Sequence, residues 1–170
     1  PGETVVSSIG QGYVLATPVQ LVVMTARIAN GKQAVTPRLV KSSGDAAPDF
    51  APLDVDPYAL AIIREGMFEV MNGGLGTARN YDLDKSLGGM AGKTGTVQVK
   101  RITKAQREEG IVNNIDRPWA ERDHALFVAY APVKRPRYAI SVVVEHGGSG
   151  SSTAAPVARD ILTQLMQKQG

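Results

Sequence analysis

The chain has 170 residues, 42 of them Leu, Ile, Val or Phe, an apolar load that fits a packed domain, or part of one, and excludes a disordered segment. Nineteen Lys and Arg against sixteen Asp and Glu leave a net +3, too small a surplus to mark a nucleic-acid binder. The absence of cysteine excludes disulfides, thiolate metal sites and a cysteine nucleophile, and no apolar run is long enough to span a membrane.

The first residues, Pro1-Gly2-Glu3-Thr4, show neither an initiator methionine nor a signal-peptide pattern, so the chain is expected to be cut from a longer protein. Thr17-Pro18-Val19-Gln20 then marks a helix start: Thr17 can cap, Pro18 suits the first turn, and Gln20 completes a capping box. Leu21, Met24, Thr25 and Ile28 follow at helical spacing, and Asn30-Gly31 supplies a left-handed stop. Lys41 to Pro52, rich in Ser, Gly, Asp, Ala and Pro, reads as a surface loop. Asp56-Pro57 opens a second helix whose apolar face is Leu60, Ile63, Met67 and Val70, and Asn72-Gly73-Gly74 ends it.

Beyond Gly88 the helical period disappears. Lys93-Thr94-Gly95-Thr96-Val97-Gln98-Val99 has β-branched residues and reads as a strand. Arg101 to Asp123 is long and charged, with room for a short helix over Lys104 to Glu109. Ala125–Ala131 and Tyr138–Glu145 are nearly continuous apolar runs, the pattern of strands covered on both faces. The six residues Pro132 to Arg137 between them predict an antiparallel hairpin. After a Gly/Ser turn at His146–Ser152, a last helix is expected over Thr153–Lys168, burying Ala154, Val157, Ala158, Ile161, Leu162 and Leu165. The fold class is therefore mixed α/β of the α+β type, an antiparallel sheet covered by helices. Three strands are few for so many helices, which predicts that the rest of the sheet lies elsewhere.

Gly88-Gly89-Met90-Ala91-Gly92-Lys93-Thr94 admits two readings. A phosphate-binding loop needs four residues between Gly and Gly-Lys-Thr and a helix directly after it; here there are three, followed by strand. The other reading is an active-site strand. Alternation puts Thr94 and Thr96 on one face, where two hydroxyls could grip a carboxylate. Gly95 lets a ligand approach the backbone, and Lys93 adds a cation that needs either its long stem or a local twist of the strand to reach the same side. Taken alone, the tetrapeptide fits an ordinary edge strand with a surface lysine better.

The rest of the chain adds to this. Ser8-Ile9-Gly10-Gln11-Gly12-Tyr13, Thr17-Pro18-Val19-Gln20-Leu21, Lys93-Thr94-Gly95-Thr96, Asp123 to Pro132 and Val142-Val143-Val144-Glu145-His146-Gly147-Gly148 occur in the order seen in class B penicillin-binding proteins. The chain resembles that family over most of its length, its elongation type above the division type. The resemblance implies a penicillin-recognising serine transpeptidase/β-lactamase-like fold, of which only the C-terminal three strands and flanking helices are present. Residues 1–170 would then be the C-terminal part of a transpeptidase domain.

It further implies a D,D-transpeptidase that cross-links peptidoglycan stem peptides through an acyl-serine intermediate and is acylated by β-lactams. Thr94, Gly95 and Thr96 would bind the donor's carboxylate end, Lys93 would supply positive potential and a proton relay, and Thr96 N–H would be one oxyanion donor. The family uses no cofactor and no metal. It implies an anchor in the bacterial inner membrane, a periplasmic catalytic domain and a membrane glycan polymerase as partner. One departure is decisive: no Ser-x-x-Lys and no Ser-x-Asn occurs among the 170 residues. Nucleophile, base and relay are therefore expected upstream, on a companion segment. The competing classes are a catalytically inactive penicillin-fold scaffold or sensor and, remotely, a nucleotide-binding protein.

Outside the strand, His124 and His146 lack carboxylates at ligand spacing and read as structural residues flanking strands. Trp119, the only tryptophan, reads as an anchor of its loop onto the domain. Lys100, Arg101, Lys104 and Arg107 form a loose basic cluster, balanced by Glu108 and Glu109, on a solvated loop.

Overall fold

The computed structural model describes residues 2–8, 10, 12, 14–40, 49–100, 108, 110 and 112–168. Its elements, in chain order, are α1 (Gly2–Ser8), α2 (Pro18–Asn30), α3 (Pro57–Asn72), β1 (Ala91–Val97), β2 (His124–Ala131), β3 (Tyr138–Val144) and α4 (Ala155–Gln167). Short 3-10 turns lie at Arg79–Tyr81, Lys85–Leu87, Asn114–Asp116 and Trp119–Glu121, and a π-helical turn at Gly150–Ala154 leads into α4. Most of the helix expected over Lys104–Glu109 and most of the Lys41–Pro52 loop lie outside the described residues.

The capping signals act as their chemistry dictates. Gln20 N–H donates to Thr17 Oγ1 at 3.2 Å and Thr17 N–H to Gln20 Oε1 at 2.8 Å, the reciprocal pair that starts α2. Gly31 closes α2 at φ 69°, and its N–H donates to Arg27 O. Asp56 caps α3 by accepting from Tyr58 N–H at 2.9 Å.

β1, β2 and β3 form an antiparallel sheet in that order, with β2 in the middle. The register pairs Thr94 with Phe127, Gly95 with Leu126 and Thr96 with Ala125; across the hairpin, Phe127 pairs with Val142. Alternation then divides the core in two. Phe127, Ala125 and Ala129 pack with Met71, Met90, Ala154, Ala155, Ala158 and Leu162, so α4 covers that face. Ala91, Val128 and Tyr130 pack with Ala29 and Met67, so α2 and α3 cover the other. β2 is buried on both faces, as its apolar run predicted, whereas β3, expected to be covered likewise, is only half-buried and leaves Val143 exposed.

Four further sequence expectations need correction. β1 starts at Ala91 and ends at Val97, two residues earlier at each end than Lys93–Val99. Ala91 and Gly92 are poor strand formers by composition, but Gly92 fits because a Cβ there would meet Phe127 Cζ at 2.5 Å and Val128 O at 2.8 Å. Ile63 is exposed. The inward stripe of α3 is Leu60, Arg64, Met67 and Met71, and Arg64 donates from Nε to Ile28 O at 2.7 Å and from Nη2 to Ala29 O. A guanidinium at the C-terminal end of α2 satisfies carbonyls the helix leaves open, so a charged side chain takes a core-facing position.

In α4 and the last residue of the turn before it, Ala154, Ala155, Ala158 and Leu162 are buried, whereas Val157, Ile161 and Leu165 are exposed. Alanines let the helix approach the sheet closely, which fixes its rotation on the small side chains and turns the larger ones outward. Finally, α1 forms over Gly2–Ser8, a stretch in which no element was predicted.

Candidate active site

β1 is an outer strand of the described sheet, so one of its edges faces away from β2. Lys93 Nζ donates to Thr94 O at 2.9 Å. That contact locates the Thr94 carbonyl on the outer edge, and backbone groups two residues apart turn to the same edge. Thr96 N–H is therefore directed there too. Lys93 belongs, by alternation, to the face opposite Thr94 and Thr96, and its stem folds back along the edge to bring the ammonium beside Thr94.

Thr94 Oγ1 lies 3.0 Å from Thr77 Oγ1. Sequence reading missed Thr77, although its local signal is present in Gly73-Gly74-Leu75-Gly76 after α3. A Cβ at Gly76 would lie under 3.0 Å from Glu69 O and Val70 O, so only glycine lets the chain fold under the helix end. Ala78 N–H then donates to Val70 O at 3.1 Å, and the returning turn carries Thr77 to the strand. The pair presents two hydroxyls in one hydrogen-bonded unit, so one can donate while the other stays oriented.

Gly95 is gripped from another direction. A Cβ at Gly150 would lie under 3.0 Å from Gly95 O, Gly95 N and Leu126 O, so the π-helical turn before α4 rests directly on the strand backbone. This contact fixes the residue between the two threonines.

Gly88 and Gly89 take φ of 86° and 67° and lead straight into β1. No helix follows Gly92-Lys93-Thr94, so the donors and dipole of a phosphate loop are missing. His124 and His146 serve structural contacts. His146 N–H donates to His124 Nδ1 at 2.9 Å, His146 Nδ1 lies 3.0 Å from Arg122 O, and Trp119 packs on the His146 ring at 4.2 Å between centroids. Trp119 is 61% exposed, so it anchors its loop through one face only. Lys100 pairs with Glu121 at 2.7 Å, which replaces the expected balance by Glu108 and Glu109 for that residue; Arg101, Lys104 and Arg107 lie outside the described residues. Among the described residues no cluster of His, Asp and Glu could hold a metal ion, and no helix is long and apolar enough to cross a membrane.

A lysine, two same-face threonines and a glycine on a strand edge suit recognition of an anionic group next to an electrophilic carbonyl. The profile of the penicillin binding protein transpeptidase domain matches residues 3–163. The chain is 35% identical over 179 residues to the peptidoglycan D,D-transpeptidase MrdA of Salmonella typhimurium, covering 99% of this chain and 28% of that protein. It is 36% identical to MrdA of Acinetobacter baumannii, covering 92% and 24%. Among solved structures, Pseudomonas aeruginosa PBP2 in complex with WCK 5153 superposes with a TM-score of 0.72 at 36% identity, over 98% of this chain and 32% of that one. Helicobacter pylori PBP2 in its complex with MreC superposes at 0.77 and 33%, over 99% and 28%. The chain thus spans about a quarter to a third of the length of these relatives, with the antiparallel sheet and flanking helices of their penicillin-recognising fold. It belongs to the penicillin-binding protein transpeptidase domain family.

Proposed function

We propose that this chain is the C-terminal part of an elongation-type peptidoglycan D,D-transpeptidase, carrying one wall of a site whose nucleophile lies on an upstream segment. The observation that carries the reading is the outer edge of β1, where the Lys93 ammonium, the Thr94–Thr77 hydroxyl pair and Thr96 converge on one strand. Likeness to MrdA and PBP2 favours the elongation role over division.

In this reading the terminal carboxylate of a stem peptide, or of a β-lactam, accepts hydrogen bonds from Thr94 and Thr96. That anchoring sets the adjacent carbonyl at the strand edge, where Thr96 N–H stabilises the negative charge that develops when the upstream serine attacks. Lys93 raises the local positive potential and relays a proton near the leaving group. Terminal D-alanine departs, and an amine from a neighbouring strand then displaces the serine oxygen. Gly95 leaves room for the donor backbone. Two features of the sheet support an upstream companion: β3 has no second partner strand among the described residues, and Tyr138 Oη and Ser141 Oγ are buried there without a hydrogen bond. The proposed setting is the periplasmic face of the inner membrane, with the anchor outside this chain and a membrane glycan polymerase as partner.

Thr96→Val in the full-length enzyme tests the carboxylate role. It keeps the β-branch and the backbone N–H and removes one ligand. One hydrogen bond to a charged group is worth about 1.5–3 kcal/mol, so acylation by benzylpenicillin should slow roughly ten- to a hundredfold, with thermal stability unchanged. Acylation at the wild-type rate would remove Thr96 from the site.

A further inference from the structure

Asp123 precedes β2 and touches neither Lys93 nor the threonines, yet it is the one buried charged side chain among the described residues, at 7% exposure. Its carboxylate accepts from Val99 N–H at 3.4 Å, from Arg117 at 3.4 Å and from Asn114 Nδ2 at 3.2 Å. Its own N–H donates to Asn114 Oδ1 at 3.1 Å, and its carbonyl accepts from Gly148 N–H at 2.8 Å. One residue thus clasps three segments: the chain just past β1, the Asn114–Arg117 loop and the glycine turn after β3.

Burying a carboxylate is costly unless its hydrogen bonds are met, and here the protein commits two side chains and a backbone N–H to meet them. Both routes out of the clasp lead to the threonine strand. Val99 lies three residues beyond Thr96. Gly148 opens the turn that continues to Gly150, which bears on the backbone of Gly95. The Thr153 hydroxyl, donating to Gly147 O at 2.8 Å, stiffens the same turn.

We propose that Asp123 is a positioning residue for the transpeptidase site, holding the segment Thr94–Thr96 from both sides through Val99 and through the Gly148–Gly150 turn. This rests on the reading of that strand as the carboxylate and oxyanion site. A misplacement of about 1 Å at a reacting centre can cost about a hundredfold in rate, so the effect reaches chemistry without contact.

The test uses the full-length enzyme, with benzylpenicillin as probe. End-point labelling gives the active fraction, and the time course gives the acylation rate constant of the molecules that label. Asp123→Ala should label close to full stoichiometry but acylate ten- to a hundredfold more slowly. Asp123→Asn, which keeps an oxygen for Val99 N–H, should recover part of the rate, and Asn114→Ala should slow acylation less than Asp123→Ala. A reduced active fraction with a wild-type rate constant would make Asp123 merely structural and overturn the proposal. Should Asp123→Ala fail to fold, wild-type rate constants in both Asp123→Asn and Asn114→Ala would overturn it equally. Thr96→Val separates the two layers. Slow acylation there beside wild-type rates in the Asp123 and Asn114 variants sinks this inference alone, whereas a wild-type rate in Thr96→Val removes the site reading beneath it.

Discussion

Replacing Lys93 by Ala in the full-length enzyme should slow benzylpenicillin acylation by about a hundredfold or more, a larger loss than for Thr96→Val. In the proposed site the threonine change deletes one of several donors to the carboxylate. The lysine change deletes the cation at the outer edge of β1, whose ammonium sits 2.9 Å from Thr94 O. Lys93 is exposed, so its loss should leave the thermal midpoint where it was. Lys93→Arg keeps the charge but replaces a compact ammonium with a planar fork, and should recover only part of the rate. Normal acylation by Lys93→Ala would show that the strand does not form the site.

Gly150→Ala should act on the fold and the site together. The three atoms nearest its Cβ would all be backbone, of Gly95 and Leu126, which cannot rotate aside as a side chain can. Either the turn lifts or β1 shifts, at a cost of about 1–3 kcal/mol or more. A lower denaturant midpoint accompanied by slower acylation is the expected pair of results. Gly66→Ala is the internal contrast. Nothing lies within 4 Å of a Cβ there, and the position is inside α3. The same replacement should raise stability by about 0.5–1 kcal/mol, since glycine is the poorer helix former. Equal and mild effects at both positions would show that Gly150 does not press on the strand.

How far the sequence led depends on the range over which each signal acts. The capping box at Thr17 and Gln20, the stop at Gly31 and the hairpin between Ala131 and Tyr138 were legible because a few neighbouring residues determine them. The strand itself was legible at Lys93-Thr94-Gly95-Thr96, and the register keeps the two threonines at alternate positions, opposite Phe127 and Ala125. What escaped was set by distant chain. Arg64 faces inward only because the end of α2 offers it carbonyls, which no periodicity in α3 reveals. The outward turn of Val157, Ile161 and Leu165 follows from alanines that fit the sheet better than the larger side chains do. Thr77 and Asp123 reach the strand through a glycine turn and a loop, respectively 17 and 24 residues from their partners. Ala91 and Gly92 join β1 because Tyr130 lies across from Ala91 and the Phe127 ring reaches diagonally over Gly92, and both need small neighbours.

The central claim is that residues 1–170 hold the carboxylate-binding wall of a transpeptidase site and that the acylated serine comes from upstream. The most direct measurement is covalent labelling by a fluorescent penicillin of the chain expressed alone and of the chain co-expressed with the upstream half of its domain. The chain alone should form no adduct, and the pair should label on the upstream half, with the signal lost when Lys93 is replaced by Ala. An adduct on the isolated chain, or labelling of the pair that ignores Lys93, would contradict it.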